Sequence, residues 1–553
     1  LLVLIVVLWP QIKQLSLTAK AKLAILGNIR CSAFELFLLI ILLVHLALEV
    51  IYALSPPTLW DTVVYHLATV KSYLQQHQIM ATPYLYESYY PATMEMLFLL
   101  GMLIRGEILA NLINYLMGIL SILAIYAFCR RYFSWRIGLW AAVVFYAMPV
   151  VTSNAGQAGT DMGLVFYSLL AIYALFNWLD SHKTNSLILA AIFCGLSAAI
   201  KYNEMIMPFL LGLGVMVKML VIDKKRLLVA FRPLATFAFV AFMVASPWYV
   251  KNYLTTGDPV FPFLYKFFTG KVINPAILVH LDLSSLRSFR DYLLFPWDFY
   301  VRFRGVAPWD QASGPVYLMF IPCLLFLRGV DKRIKYLLLF VAGYALVWMA
   351  MPIQFSRYFL PCSAALSIVA GYAISRVAEG DWAIRRVALA FVMVVFCFNA
   401  MLLLAKHHFR IPVVLGIETR QSFLTKRVDS YKAIEYINSN LSDSEKVLLF
   451  EPRSYYVQRP YIKGDPQFQM MLDYTTFSDA DDLLRELKQL GITHLLLNSN
   501  LLNSFSAEAI EGMRPSYDAL HRLLNQSLYE QLELLHTSNN TFVYRINFNA
   551  YRD

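Results

Sequence analysis

Charge is the first thing this sequence has little of: only 15% of its 553 residues are Asp, Glu, Lys or Arg, while 59% are hydrophobic. Globular proteins carry about 25% charged residues, so a single soluble domain is excluded. Cysteine is scarce as well. Cys31, Cys129, Cys194, Cys323, Cys362 and Cys397 all lie in or beside apolar runs, with no CxxC pair, which argues against a disulfide framework and a cysteine metal site. The tail from 406 contains no Gly-rich phosphate loop and no nucleophile elbow. The chain opens LLVLIVVLWP without Met and reads as the tail end of a truncated segment rather than a signal peptide.

What is present is a series of long apolar runs. Read against a hydrocarbon core of roughly 30 Å, they place spans near 33–53, 107–128, 137–153, 161–179, 187–200, 203–221, 229–247, 314–328, 336–351, 357–375 and 387–405. The expectation is a polytopic α-helical membrane protein of about eleven or twelve spans. The stretch 92–104 is too short to cross and reads as an interfacial helix along the outer leaflet.

The net charge of +11 divides unevenly. Residues 1–405 carry 31 basic and 18 acidic side chains, and 406–553 carry 16 and 18. The basic excess therefore belongs to the membrane part, where it reports orientation, and no nucleic-acid partner is implied. Of the 31, 20 lie in short basic connections or at the span ends beside them, including Lys13 to Arg30, Arg130/Arg131/Arg136, Lys224/Lys225/Arg226 and Arg328 to Lys335. The positive-inside rule makes these cytoplasmic. The longer connections 54–106 and 248–313, and the tail from 406, then face outward. The division is a truncated N-terminal segment with a cytoplasmic basic loop (1–32), a membrane domain (33–405) and a soluble extracytoplasmic α/β domain (406–553).

In that last domain the pattern predicts a helix over 429–441, a strand KVLLFE (446–451) and a helix to Leu490 opened by a Ser478/Asp481 capping box. A second strand THLLLN (493–498) follows, and a terminal hairpin turns at Ser538-Asn539-Asn540.

Ionisable groups at membrane depth or at span ends are costly, so each is a functional candidate. Asp61 precedes the run Thr62–Gln76 and Asp161 opens the fourth span; each reads as a helix N-cap, a functional carboxylate, or both. Lys201 is either a snorkelling interfacial lysine or, in a tight outward turn, an ammonium beside Asp161. Arg357 is an interfacial anchor or a bidentate phosphate ligand. His45 and Glu49, spaced i,i+4, read as a hydrogen-bonded structural pair, with a bundle-lining role second. His66 reads as a local packing or orienting residue, with a metal role as the lesser alternative. Two carboxylates and two cations thus gather on one side of the membrane beside an aromatic loop (Trp60, Tyr65, Tyr84, Tyr86, Tyr89, Tyr90). Aromatic faces and carboxylates suit a sugar, and cations suit a phosphate leaving group.

These residues resemble the GT-C glycosyltransferases, within them the branch of protein O-mannosyltransferases and lipid A aminoarabinose transferases. The resemblance rests on PPTLWDTVVYHLATVKSYL (56–74), TDMGLVFYSLLAIYAL (160–175), GLSAAIKYNEMIMP (195–208), PWYVKNYLTTGDPVFPF (247–263) and SRYFLP (356–361). It implies transfer of a sugar from a polyprenyl-phosphate donor to a glycan, lipid or protein acceptor at the outer face, with inversion. Asp61 would be the base and Asp161 would hold Lys201 or the acceptor. Lys201, Arg357 and Lys251 would bind the donor phosphate, with Trp60, Tyr65, His66, Tyr90, Glu204, Trp248 and Asn252 lining the substrate site. Thr62 follows Asp61 where many members carry a second acidic residue; this favours a metal-independent mechanism and leaves a divalent metal as the alternative. A bacterial inner membrane is the expected location. The competing readings are a lipid-linked sugar flippase, which needs no base, and an O-antigen ligase or polymerase.

Overall fold

The computed structural model describes residues 32–270, 314–351, 355–380, 382–509, 513–525 and 531–548, with Arg290, Leu294, Trp297 and Tyr300 between them. The expected N-terminal segment, most of the 271–313 portion of the second outer loop and residues 352–354 lie outside the described residues.

Each of the eleven apolar stretches falls on helix, and the breaks fall where the chemistry puts them. The first helix, Ala33–Leu54, opens on a capping box in which Ser32 and Glu35 bond reciprocally, and it stops before Ser55-Pro56-Pro57. Gly106, at φ 76°, separates the short helix Thr93–Arg105 from the 26-residue helix Glu107–Tyr132. The stretch read as one span over 137–153 is a bent pair, Trp135–Tyr146 and Pro149–Ala155, turned by 73°. Pro149 heads the second piece and has no N–H with which to continue the first. The 30-residue helix Leu227–Thr256 passes through Pro233 and Pro247 and ends on Gly257 at φ 81°.

Among the described residues, seven helices are long and apolar enough to cross a membrane, or eight counting the bent pair. The difference from eleven has a physical source. Thr184–Ala198 and Val316–Leu325 are short, and Lys332–Met349 carries Lys332, Arg333 and Lys335 in its first turn. The chain is an integral membrane protein. Its outward-facing helix surfaces carry apolar side chains such as Leu228, 88% exposed, and Phe231 and Leu254, as lipid contact requires.

Close packing inside the bundle depends on small residues. A Cβ on Gly371 would stand 2.7 Å from the Ala141 backbone nitrogen, and one on Gly195 would stand 2.5 Å from the Ala241 carbonyl oxygen.

Beyond the helix Trp382–His407 the chain forms a small C-terminal domain of helices around one sheet. Helix Tyr431–Asn440 and strand β1 (Lys446–Phe450) fall as the pattern predicts, as do β3 (Ile492–Asn498) and the hairpin β4 (Leu532–Ser538) and β5 (Thr541–Ile546). Asn539 and Asn540 make the hairpin turn at φ 48° and 57°, the left-handed pair a tight two-residue turn needs. The predicted capping box shifts by one residue: Asp479, not Ser478, caps helix Ala480–Gln489 by accepting from Asp481 N and Asp482 N. Strand β2 (Tyr461–Lys463) was not anticipated. The sheet order is β2-β1-β3-β5-β4, parallel across β2, β1 and β3 and antiparallel from β3 to β4.

Candidate active site

The site is assembled by two loops sewn together with amides. Gln157 Oε1 accepts from the backbone of Thr58 (2.8 Å) and Leu59 (2.7 Å), and its Nε2 donates to the Pro56 carbonyl. Asn111 Oδ1 accepts from Ala158 N, while Asn114 donates to the carbonyls of Asn154 and Gln157. Thr62 Oγ1 donates to the Ala158 carbonyl. Loop 55–62 is thereby fastened to loop 154–160, so that Asp61 and Asp161 stand at the same end of the bundle. Buried polar groups at this depth must be satisfied internally, and among these only Asn114 Oδ1 has no hydrogen-bond partner among the described residues.

Asp61 does not cap a helix. It sits in helical conformation ahead of a π-helical turn, Thr62–His66, and its side chain makes no cap bond. Its Oδ2 instead meets Arg357 NH1 at 2.8 Å, and Tyr65 hydrogen-bonds to it. Burial alone would raise this carboxyl, but the Arg357 guanidinium, His66 and Lys201, with the Tyr65 bond, outweigh burial and hold it below the usual aspartate value.

Asp161 is the first residue of helix Asp161–Ser181 and pairs with Lys201 Nζ at 2.7 Å, the pairing expected from the outward turn. The two ion pairs are joined through Tyr358. Its ring lies under Lys201 at 5.2 Å and beside Arg357 at 5.5 Å, a cation–π arrangement on both sides. His66 Nδ1 lies 2.6 Å from Glu95 Oε1, and its ring packs on Tyr65, which fits the orienting role.

Other expected residues stand further from this centre. Lys251 Nζ donates to the Ser88 carbonyl at 3.0 Å and lies over Trp248. Trp248 Nε1 donates to Thr93 Oγ1. Tyr90 sits edge-on between Tyr86 and Tyr202. Glu204 and Asn252 are fully buried, with no surface to line a site. Glu204 is held by Tyr344, Ser197 and Ser168, and Asn252 Nδ2 donates to Tyr202 OH. Trp60 packs against Phe505 and Arg453, and Tyr84 against Tyr461, so the C-terminal domain takes two of the rings read as sugar-stacking.

His45 and Glu49 are not hydrogen-bonded to each other: His45 Nδ1 lies 2.8 Å from the Ile41 carbonyl, and both Glu49 oxygens are buried without a hydrogen-bond partner among the described residues. Their spacing puts them on one face, but the imidazole turns to the backbone one turn earlier. Among the described residues, no group of three or more His, Cys, Asp or Glu is arranged to hold a metal ion.

The arrangement, two carboxylates each held by a cation with the cations bridged by one ring, has the chemistry to bind an anion and to accept a proton. The fold is that of the GT-C glycosyltransferases, as the sequence resemblance implied. Residues 90–250 match the family model of dolichyl-phosphate-mannose-protein mannosyltransferases.

Among solved structures, ArnT from Cupriavidus metallidurans bound to undecaprenyl phosphate matches at 14% identity and a TM-score of 0.53, over 92% of this chain and 97% of that one. The Archaeoglobus fulgidus oligosaccharyltransferase in the apo form matches at 13% identity and 0.50, over 88% and 72%. A search of curated proteins found no match.

Proposed function

We propose that this protein is an inverting glycosyltransferase that moves a sugar from a polyprenyl-phosphate donor to an acceptor hydroxyl at the extracytoplasmic face of a bacterial inner membrane. The observation that carries the reading is Asp61. It is a carboxylate free of capping duty, held ionised by Arg357 and standing beside a second cation–carboxylate pair. The undecaprenyl phosphate named with the ArnT structure supports the choice of donor.

In the reaction, the acceptor oxygen attacks the anomeric carbon as Asp61 takes the hydroxyl proton. The bond from the anomeric carbon to the phosphate oxygen breaks, and its electron pair leaves with the polyprenyl phosphate. Arg357 and Lys201 stabilise that departing charge, and Lys251 contacts the donor head group. Asp161 aims Lys201. A lipid donor accounts for the architecture, because its tail stays in the bilayer while its head reacts at the interface, where span ends place charged groups.

Asp61→Asn keeps the volume and removes the base. Its transfer rate from a polyprenyl-phosphate sugar should fall by at least about 100-fold in protein that still inserts and elutes as wild type. Wild-type turnover in that variant would overturn the assignment.

A further inference from the structure

Lys463 ends strand β2, at the edge of the C-terminal sheet, and is completely buried. A buried ammonium is costly without partners. Its hydrogen-bond partner belongs to the other domain: Nζ donates at 3.0 Å to the main-chain carbonyl of Val64, inside the π turn that follows Asp61. The same Nζ lies over the Phe468 ring, 5.3 Å from its centre. The carboxylates in electrostatic range of it are Glu87 first, then Asp465 and Glu451, and Glu87 is in turn in range of Asp61 and His66.

Docking the domain does not require this lysine. Lys71 donates to the carbonyls of Tyr455 and Val457, Tyr456 OH donates to the Pro57 carbonyl, and Tyr455 OH donates to Glu107.

We propose that Lys463 is a positioning residue for Asp61: through the Val64 carbonyl it fixes the π turn in the register that brings the Asp61 carboxylate onto Arg357. The C-terminal domain thereby supplies part of the active-site geometry. The inference rests on reading Asp61 as the base. A carboxylate displaced by about 1 Å from its working position loses on the order of 100-fold in rate. It would also lose part of the environment in which Arg357, His66, Lys201 and Tyr65 outweigh burial, the nearby Glu87 carboxylate acting in the opposite sense.

The test uses the full chain in lipid, assayed with a polyprenyl-phosphate sugar across pH. Lys463→Met should lower kcat at least tenfold with donor KM changed less than twofold, and should move the acidic limb of the kcat profile to higher pH. Lys463→Arg, which keeps donor and charge, should recover most of the rate. Tyr455→Phe, which removes only the hydroxyl's bond to Glu107 at the head of helix Glu107–Tyr132 and leaves Lys463 and the Val64 carbonyl in place, should keep wild-type kcat. If the Met variant does not fold, Lys463→Gln takes its place, since its amide ends one bond short of the lysine nitrogen. Wild-type kcat in a folded Met or Gln variant overturns the inference, as does an equal loss in Tyr455→Phe. Asp61→Asn in the same assay separates the two readings. If it retains wild-type turnover, the base assignment fails. If it is inactive while Lys463→Met is unaffected, only the positioning role fails.

Discussion

A carboxylate that must accept a proton in the transition state is useful only if it starts ionised. For Asp61, burial works against ionisation and the surrounding cations work for it; the cations prevail, Arg357 first among them. Removing that guanidinium should let burial show. In Arg357→Met the acidic limb of kcat/KM should therefore rise by about one pH unit or more, the size expected for an aspartate losing an arginine neighbour. An unmoved limb would mean that Asp61 is not the titrating group.

The four charged residues of this site were legible because ionisable side chains at span ends have few structural reasons to be there. Gln157, which fastens the two loops, was not, since an uncharged amide in NAGQAGT gives no such signal. Glu95 was legible in principle, as a carboxylate within the apolar run ATMEMLFLL, and its bond to His66 explains it. The His45–Glu49 spacing was read correctly as one helix face, yet shared face did not mean shared bond, because a backbone carbonyl competed for the imidazole.

At the scale of elements, the helices followed from apolar run length and from Pro and Gly at their ends, and the strands from alternation and a paired-Asn turn. Strand β2 escaped because it is three residues long, set between Pro460 and Gly464; only its pairing with β1 makes it a strand. Helix pairing was illegible for a related reason: the residues that decide it are glycines, which carry no hydrophobic signal. Their weight is testable. Gly371→Ala would press a methyl on the Ala141 backbone, and Gly195→Ala would press one on the Ala241 carbonyl. In neither case is the obstacle a side chain that can swing aside. Each should cost about 1–3 kcal/mol, measured as a lower unfolding midpoint of the protein in detergent. An alanine at Gly214, where the nearest foreign atom is a Leu175 methyl at 3.8 Å, should be tolerated.

At the scale of the whole molecule, the C-terminal domain is built around buried charges, and acidity acts on them in opposite directions. Glu451 is fully buried and bonded by Arg453 at 2.8 and 3.0 Å and by Asn498 at 2.9 Å. Burial raises its carboxyl, but Arg453 and these bonds more than reverse that. Its stabilisation is therefore present above the unfolded carboxyl pKa and is lost as pH falls through the lower folded value.

Asp465 is the converse. Burial outweighs the bonds from Gln467 N and Tyr517 OH and the nearby Lys463, and pushes it up to about 6. A carboxyl whose folded pKa is raised costs stability above that value, and the cost disappears as pH falls from about 6 toward the unfolded pKa near 4. Asp465→Asn keeps an oxygen to accept both bonds and removes the charge. It should therefore stabilise the protein at pH 8 by about 1–3 kcal/mol, the loss of the Lys463 attraction setting the lower end. At pH 5 it should change stability by less. Thermal unfolding of the full chain at the two pH values decides it, because a charge that stabilised the domain would make the variant weaker at pH 8 and leave the difference smaller at pH 5.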